Sequence, residues 1–425
     1  MKFFTGWEYL LIDVANQWGL DKKLFEERIQ WTTDNLSVLE DLGRKRMEDE
    51  AALPNDQKWK EAPLYFAAVL AVRKAQKGLP SGHLVGLDAC CSGMQVMSAM
   101  TGCVSGSRAT GMVDKGVRAD AYTIVTDAMG QLLANPLAVN RKDAKSAVMT
   151  SFYGSKATPK RIFGEGTPEL EAFYEAMQQV APGAWELLQV LLASWQPYAL
   201  AHSWKLPDGF DAVIKVMTKR EVRIEVDELN HSTFSYEFDE NIGQEKGLSN
   251  VANVTHSMDA WVLRSMQRRC NYDREVAVKA AAAIDAELMA RKFGVKRELE
   301  QAPKRIAYYI EQYKRSTIAD VVILPYLDER TVQHLDDEHL SKLHKIIEGM
   351  LQYKPFPLIT VHDEFKAHPN NLNWVRWQYK QILADVAESN VLDDILSQIY
   401  GMPGTFDKHS FNLAEQIRES EYALS

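Results

Sequence analysis

The sequence has few cysteines and no long hydrophobic run. Four cysteines occur in 425 residues, two of them adjacent at Cys90 and Cys91. None shows the paired CxxC spacing of a zinc site, so a disulfide-built fold is excluded and a reducing compartment is favoured. No stretch of about 18 uncharged apolar residues occurs, and the first residues lack the apolar core of a secretory signal. We therefore expect neither a membrane span nor export.

Positive charge is also scarce relative to negative charge. The formal net charge is −9, which argues against a protein that binds nucleic acid through its overall charge, although a local basic patch would suffice. Apolar residues make up 46% and charged residues 25%, so a disordered or fibrous protein is excluded. A chain of this length predicts two or three domains, or one large enzyme with subdomains.

Hydrophobic patterning predicts a mostly helical α+β fold. Alternating apolar and polar residues predict a hairpin over 219–245. The short apolar run Leu84–Leu87 predicts a buried strand, and a second apolar run, Leu358–Val361, predicts another strand. Helical spacing is found over residues 19–50, 59–77, 114–135, 141–153, 167–200 (with a break at Pro182–Gly183), 250–272, 274–316 and 337–353.

Each of the two predicted strands is followed by an acidic residue. Asp88 ends the first strand in the segment LDACCSGMQ, and Asp363 follows the second in VHDE. Taken alone, either acid is more often structural, because aspartate is a common turn former. Together they could supply the two carboxylates of a metal site, although 275 residues separate them (363 − 88).

A one-sided basic helix is predicted between these acids. Arg141, Lys145, Met149 and Tyr153 share one helical face, and Gly154 follows. The ordinary interpretation is a solvated basic turn that leads into core packing. The same stripe also fits a nucleoside triphosphate, which needs cations at its phosphates and an aromatic platform for its base. If the protein binds nucleic acid in a basic cleft, further cations predicted to line it are Lys156, Lys160, Arg161, Arg264, Arg268 and Arg269.

In order and spacing, the three segments resemble motifs A, B and C of single-subunit RNA polymerases of the bacteriophage and mitochondrial type. DACCSGMQVMSAM resembles motif A, RKDAKSAVMTSFYGSK motif B and VHDEF motif C. The stretches FEERI, WKLPDGF, HSMD and IRESEYALS are similar as well, so the resemblance extends from about residue 6 to the last residue. It implies the palm and fingers of a right-hand polymerase and template-directed transfer of ribonucleotides to an RNA 3′ end.

The resemblance implies a role for each acid and cation. Asp88 and Asp363 would hold two Mg²⁺ ions, with the Ala89 carbonyl as a further ligand. Lys145 and Arg141 would neutralise the triphosphate, so that positioning and charge stabilisation carry the rate. The substrates would be ribonucleoside triphosphates on a single-stranded or melted DNA template.

The resemblance also implies roles for residues around the nucleotide. Tyr153 would close the insertion site, and Gly154 would let the template approach closely. His256 would contact the ribose 2′-hydroxyl, and His362 would help to place the primer end.

Two positions separate this chain from the related bacterial repair DNA polymerases, which share the palm and the VHDE string. Those enzymes carry a glutamate where this chain has Gly93, and usually an aromatic residue where it has Met149. Gly93 leaves room for the 2′-hydroxyl and favours an RNA polymerase. A DNA polymerase or primase with the same palm is the first alternative. A non-catalytic remnant that only binds nucleic acid is the second, and the retained acids, basic stripe and His256 argue against it.

The family organisation implies that residues 1–104 form the first part of the palm, 105–256 the fingers, and 257–425 the second part of the palm with a tail near the active site.

Family members carry an N-terminal domain and a thumb ahead of the segment that begins here near residue 6. We therefore expect a second, smaller polypeptide that supplies them. The chain thus resembles the larger, C-terminal subunit of the heterodimeric middle-gene RNA polymerases of Schitoviridae-type podoviruses. This implies phage genes as the template and the cytoplasm of an infected bacterium as the location.

Two departures from the family pattern concern single segments. Leu11 stands where the family usually has a lysine near the nucleotide. Between His256 and Asp363 lie 107 residues (363 − 256), where relatives have a few tens. A helical, charged insertion over about 273–340 is therefore implied. It is either a solvated excursion or a docking surface for the small subunit or an accessory factor.

The predicted hairpin stands in the place of the family's promoter-specificity loop. Its sequence, VRIEVDELNHSTFSYEFDE, is acidic, whereas readout of bases in the major groove favours arginine, asparagine and glutamine. We therefore expect weak recognition of duplex promoters, and help from a single-strand-binding accessory protein.

Overall fold

The computed structural model describes residues 1–114, 116–135, 139–295 and 300–425. Within these ranges the chain is mostly helical with small antiparallel sheets, as the sequence predicts. Helices of the first half are α1 (Gly6–Ala15), α2 (Phe25–Asp34), α3 (Leu39–Asp49), α4 (Ala62–Gln76), α5 (Ser92–Thr101), α6 (Val104–Ala109), α7 (Ala121–Leu132), α8 (Arg141–Ser151), α9 (Ala157–Phe163), α10 (Pro168–Val180) and α11 (Pro182–Ala193).

The second half of the chain continues in the same style. Its helices are α12 (Ser249–Cys270), α13 (Arg274–Lys292), α14 (Lys304–Ser316), α15 (Asp337–Leu351), α16 (Leu372–Glu388), α17 (Val391–Tyr400) and α18 (Leu413–Glu419). The strands of the whole chain are β1 (Val85–Asp88), β2 (Ala201–Lys205), β3 (Asp211–Lys215), β4 (Met217–Val226), β5 (Ser232–Asn241), β6 (Ile359–Val361) and β7 (Glu364–Ala367).

A three-stranded antiparallel sheet of order β1–β7–β6 brings together the two predicted strand ends. The register pairs Asp88 of β1 with Glu364 of β7, and Val361 of β6 with the same glutamate. His362 and Asp363 form the tight turn between β6 and β7, as the sequence predicts. His362 has a left-handed φ of 55°, which lets the chain reverse within two residues.

The last residues of the chain lie along the free edge of β1. The Ser425 N–H donates to the Asp88 carbonyl at 3.0 Å, and Leu424 forms a bridge with Ala89. The side-chain amide of Gln95 donates to the Ala423 carbonyl at 2.9 Å, which fixes the tail against α5. The tail thereby satisfies backbone groups at the edge of the sheet.

Helices pack around this sheet and form its core. The central helix α16 contacts α12, α18 and α5, and α1 contacts α2 and α4. Helix α1 begins at a capping box, in which the Thr5 side chain accepts from the Glu8 N–H and Glu8 accepts from the Thr5 N–H. Buried aliphatic and aromatic residues from all these elements form one continuous hydrophobic cluster.

Some long helical predictions are broken in the structure. The predicted helix over 19–50 is two helices, α2 and α3, which a turn separates after Asn35. The stretch 274–316 is likewise two helices, α13 and α14, and the part of that prediction on residues 296–299 lies outside the described residues. Strands β2 and β3, which form a short hairpin of their own, were not predicted.

The predicted insertion contributes to the core. Helix α13 packs against α15, and α14 packs against α17. The apolar run at 321–326 forms a 3₁₀ helix with Ile323 and Leu324 buried. The Trp261 indole on α12 donates to Asp320 at 2.9 Å, so this segment is fixed to the helix that carries His256. A solvated excursion is therefore excluded for the described part of the segment.

The predicted hairpin is present as β4 and β5. Ten residue pairs span it, from Met217–Asn241 to Val226–Ser232. Most of its side chains are exposed. The predicted division at 1–104, 105–256 and 257–425 stays a prediction, and its second boundary falls inside α12.

Candidate active site

The site centres on Asp88 and Asp363, which sit at neighbouring positions of the three-stranded sheet. The Ala89 N–H donates to the Asp363 carbonyl at 3.2 Å, so the residues on either side of the β1 end and the β6–β7 turn are in direct contact. Glu364 adds a third carboxylate, which pairs with Lys366 at 3.1 Å. The fold therefore brings together two acids that lie far apart in sequence.

The electrostatics of Asp88 reflect this crowding. Its side chain reaches solvent at the strand end. Partial loss of hydration, followed by the negative charges of Asp363 and Glu364, nevertheless raises the pKa of its carboxyl from 3.8 to about 6. A divalent cation would relieve this repulsion, because hard cations prefer clustered carboxylate oxygens.

A fourth acid of the site, Asp259, lies on α12 beside Tyr153. The Tyr153 hydroxyl donates to Asp259 Oδ2 at 3.3 Å. Burial, with a further contribution from Asp363, raises the pKa of the Asp259 carboxyl from 3.8 to about 7. Burial also raises the pKa of Tyr153, so its phenol is neutral and available as a donor.

His256 and Tyr153 form one stacked pair. Their ring centroids are 4.3 Å apart at an interplanar angle of 26°. Partial burial, together with the nearby His362, lowers the pKa of His256 below 6.5, so the imidazole is neutral at physiological pH. Because His256 and Asp259 lie three residues apart on α12, one helical face presents both groups to Tyr153.

Gly93 lies directly against this pair. A Cβ atom at position 93 would lie 2.8 Å from the Tyr153 hydroxyl oxygen and 3.0 Å from Tyr153 Cζ. The absence of a side chain at Gly93 therefore has a structural reason beyond space for a ribose hydroxyl: it lets the tyrosine approach the N-terminal end of α5.

Gly154 ends the basic helix in a conformation that suits glycine. Its φ is +86°, and an added Cβ would lie 3.2 Å from Val251 Cβ. Gly154 thus allows the end of α8 to approach α12, which positions Tyr153 over His256. Met149, one turn before Tyr153 on the predicted face, is 45% exposed.

The two predicted phosphate-binding cations stand over one aromatic ring. The Arg141 guanidinium lies 5.6 Å and the Lys145 ammonium 5.5 Å from the centroid of Tyr122. Arg141 Nε also donates to Asp120 Oδ2 at 2.7 Å. Lys145 is exposed, and the described part of the chain places no carboxylate within salt-bridge distance of it.

Of the other predicted cleft cations, some are neutralised. Arg264 pairs with the buried carboxylate of Asp208 at 2.7 Å, and Arg268 pairs with it at 3.0 Å. Arg269 is 2% exposed, so its predicted place in an open cleft is wrong. Lys160 pairs with Glu165, whereas Lys156 and Arg161 are exposed.

Two comparisons with known proteins each match a part of this chain. Residues 4–162 match the model of a protein family described as DNA-dependent RNA polymerase. A protein of Neurospora crassa, "Probable DNA-directed RNA polymerase", is 36% identical over 100 residues, which are 22% of this chain and 10% of the fungal protein. Both matches are to proteins described as DNA-dependent or DNA-directed RNA polymerases. The aligned region spans about a tenth of the length of that relative.

The family match includes part of the candidate site described above. Asp88 and the whole of α8 lie inside the matched range, and Asp363 lies beyond it. The enzyme class predicted from the sequence, a nucleotidyltransferase that makes RNA, thus agrees with both comparisons.

The donor set at Asp88 and Asp363 fits the Mg²⁺ that RNA polymerases use. Both are carboxylates at adjacent strand ends, and the pKa of Asp88 is raised partly by the charge of Asp363. A separate group that could hold a metal, Glu225, Asp227 and His231, lies exposed at the β4–β5 tip. There His231 Nδ1 already pairs with Glu225 at 2.8 Å.

Sequence reasoning missed Asp259 and Tyr122. Asp259 stands in the HSMD segment, and its i+3 spacing from His256 was the available signal. Tyr122 carried no such signal, because its role depends on a packing of α7 against α8 that no local pattern encodes. None of the helices that the structure describes is both long and apolar enough to cross a membrane.

Proposed function

We propose that this chain is the catalytic part of a DNA-directed RNA polymerase that adds ribonucleotides to an RNA 3′ end. The observation that carries the proposal is the convergence of Asp88, at the end of β1, and Asp363, in the adjacent β6–β7 turn, next to the stacked pair of Tyr153 and His256. Nucleotidyl transfer needs carboxylates that bind the metal ions and, beside them, side chains that position the sugar of the nucleotide.

The roles of the acids follow from their positions. Asp88 and Asp363, with the Ala89 carbonyl, would hold two Mg²⁺ ions. When bound, these ions supply activation of the RNA 3′-hydroxyl and neutralisation of the triphosphate. Lys145 and Arg141 would add positive charge to the departing pyrophosphate, because preorganised cations stabilise charge that develops in the transition state.

The roles of the rings concern the sugar and the base. Tyr153 would cover the incoming nucleotide, and its neutral hydroxyl would stay oriented by Asp259. His256, neutral at physiological pH, can donate to or accept from a 2′-hydroxyl. His362, in the turn before Asp363, would contact the primer end.

Nucleotide addition on a primed RNA–DNA scaffold tests this function. We expect ribonucleotide incorporation that Asp363→Asn abolishes, while template binding stays within about twofold, since loss of one metal carboxylate removes a transition-state contact. The exposed Asp49→Asn is the matched control. Surviving synthesis in Asp363→Asn would remove this residue from the mechanism, and preferential use of deoxynucleotides would indicate the DNA polymerase alternative.

We further propose that the chain works with a second, smaller polypeptide in a split phage enzyme. An exposed apolar stripe on α4 supports a partner, since Leu64 is 52% and Leu70 57% exposed. An open groove of about 600 Å³ lies beside α1 and the end of α4, with Trp7 and Leu79 in its lining. Exposed apolar side chains near a groove are a feature of protein interaction sites.

Co-expression with the product of the adjacent reading frame tests the split arrangement. We expect co-purification that Leu64→Asp with Leu70→Asp disrupts, because charge in an apolar interface is costly. Val278→Asp, at a residue that is 47% exposed on α13, is the control. Full processive transcription by this chain alone would contradict a second subunit.

A further inference from the structure

Tyr122, in the first turn of α7, lies beside the predicted phosphate-binding cations and has no role in the function proposed above. Its side chain is 8% exposed, yet its ring lies below two cations, Arg141 and Lys145. A buried ring that faces two guanidinium or ammonium groups is an electrostatic platform, because the negative face of the ring attracts cations.

The helices that bear these residues are fixed to each other. Asp120 caps α7 by accepting from the Tyr122 N–H at 3.2 Å, and it also accepts from Arg141 Nε at 2.7 Å. The Thr123 hydroxyl accepts a second hydrogen bond from Arg141 Nε at 3.2 Å. One carboxylate therefore closes the end of α7 and anchors the first turn of α8.

The opposite end of the Tyr122 ring leads to the acids. Its side chain lies near Cys91, three residues after Asp88, and the two side chains influence each other's pKa. Cys91 has a left-handed φ of 60° at the start of α5, so the chain turns sharply just after the strand end. Burial raises the pKa of Tyr122, so the phenol is neutral.

From this geometry we infer that Tyr122 is a positioning residue for the triphosphate end of the nucleotide. Its ring sets the place of Arg141 and Lys145. The same side chain lies near Cys91 in the turn after Asp88, so it stands between the two cations and that turn. The inference rests on the proposed function, because it assigns the cations to a nucleoside triphosphate.

Two substitutions separate the ring from the hydroxyl. Tyr122→Phe keeps the aromatic platform and loses only the hydroxyl, whereas Tyr122→Leu loses both. We expect Tyr122→Leu to raise the KM for ribonucleotides about tenfold, since two cation–π contacts are lost, and Tyr122→Phe to stay within about twofold in KM. A rise in KM with kcat within about twofold of the wild type is a result that a merely structural role would not produce.

The control is another tyrosine that lies under a cation. Tyr308 lies on α14, outside the proposed site, and the Lys205 ammonium is 6.0 Å from the centroid of its ring. Tyr308→Leu should therefore leave the KM unchanged. Circular dichroism and thermal melting exclude unfolded variants. A KM for folded Tyr122→Leu equal to that of the wild type, or equal damage by phenylalanine and leucine, would overturn the inference.

Calorimetric titration with ATP and Mg²⁺ separates this inference from the proposed function. We expect Tyr122→Leu to weaken ATP binding about tenfold and Tyr122→Phe to retain it. If this pattern appears but no variant makes RNA, the proposed function fails and the positioning role stands. If ATP binds equally to all three proteins, the positioning role fails whatever the activity.

Discussion

Two carboxylates of the site, when ionised, lower the stability of the protein without a bound metal ion. Asp88 and Asp259 both carry a raised carboxyl pKa, to about 6 and about 7. The first cause at each is loss of hydration, and Asp363 adds repulsion to both. Perturbed pKa values of this kind are typical of functional sites, where a bound ligand can supply the counter-charge that the carboxylates lack.

A pH dependence of stability follows for the metal-free protein. Between pH 3.8 and about 6 the folded state binds more protons at Asp88 than the unfolded state does, so stability falls as pH rises through this window. Asp259 extends the loss to about pH 7. We expect Asp88→Asn to melt at a higher temperature than the wild type at pH 8 and at a similar temperature at pH 4.

Scanning calorimetry with and without Mg²⁺ checks this prediction. Mg²⁺ at pH 8 should raise the melting temperature of the wild type and have a smaller effect on Asp88→Asn, which has lost a ligand. Asp49→Asn should follow the wild type throughout. A lower melting temperature for Asp88→Asn at pH 8 without metal would show that repulsion does not dominate.

Gly93 provides a second prediction for a single residue. Gly93→Ala places a methyl group 2.8 Å from the Tyr153 hydroxyl, so the tyrosine must move from His256 and Asp259. We expect a loss of stability of about 1–3 kcal/mol from overpacking and a lower ribonucleotide incorporation rate. Gly82→Ala is the matched control, because a Cβ there meets nothing within 4 Å. Wild-type rates in Gly93→Ala would show that Tyr153 does not need this space.

At the scale of elements, the sequence predicted what local patterns encode. The strand that ends at Asp88 and the β4–β5 hairpin both have local signals, an apolar run before an acid and strict alternation. The contact between Ala89 and Asp363 had none, since it depends on a pairing across most of the chain. Family resemblance, not periodicity, supplied that expectation. The β2–β3 hairpin was missed because its strands are short and hold Trp204 among polar residues.

The insertion shows how tertiary contacts decide the role of a charged segment. Asp320 is 7% exposed and accepts from Trp261 at 2.9 Å and Arg268 at 3.3 Å. We expect Asp320→Ala to lower the free energy of unfolding by about 3 kcal/mol, because it leaves a partly buried arginine without this partner. Asp337→Ala, which breaks a surface pair with Arg291, should cost less than about 1 kcal/mol. Urea denaturation measures both, and equal effects would contradict a core role for this segment.

At the scale of the whole molecule, charge is unevenly distributed. The chain is acidic overall, yet the exposed cations Lys145, Lys156 and Arg161 follow one another around α8 and α9. The β4–β5 hairpin is the opposite case, with seven acidic and three basic residues between Met217 and Asn241. Phe234, Tyr236 and Phe238 are 54%, 50% and 40% exposed on one of its faces. Acidic surface repels a phosphate backbone, so the hairpin is poorly suited to hold duplex DNA.

Gel-shift and anisotropy titrations with single-stranded and blunt duplex DNA test this distribution. We expect weak duplex binding without sequence preference, and tighter binding of single strands through the exposed cations. With about four phosphate contacts, single-strand affinity should fall about 50-fold between 50 and 200 mM salt. Lys145→Ala should reduce the slope of the salt dependence by about 0.7, whereas Lys292→Ala, at the far end of α13, should not change it. Strong, sequence-specific binding to a blunt duplex would mean that the hairpin reads bases in spite of its charge.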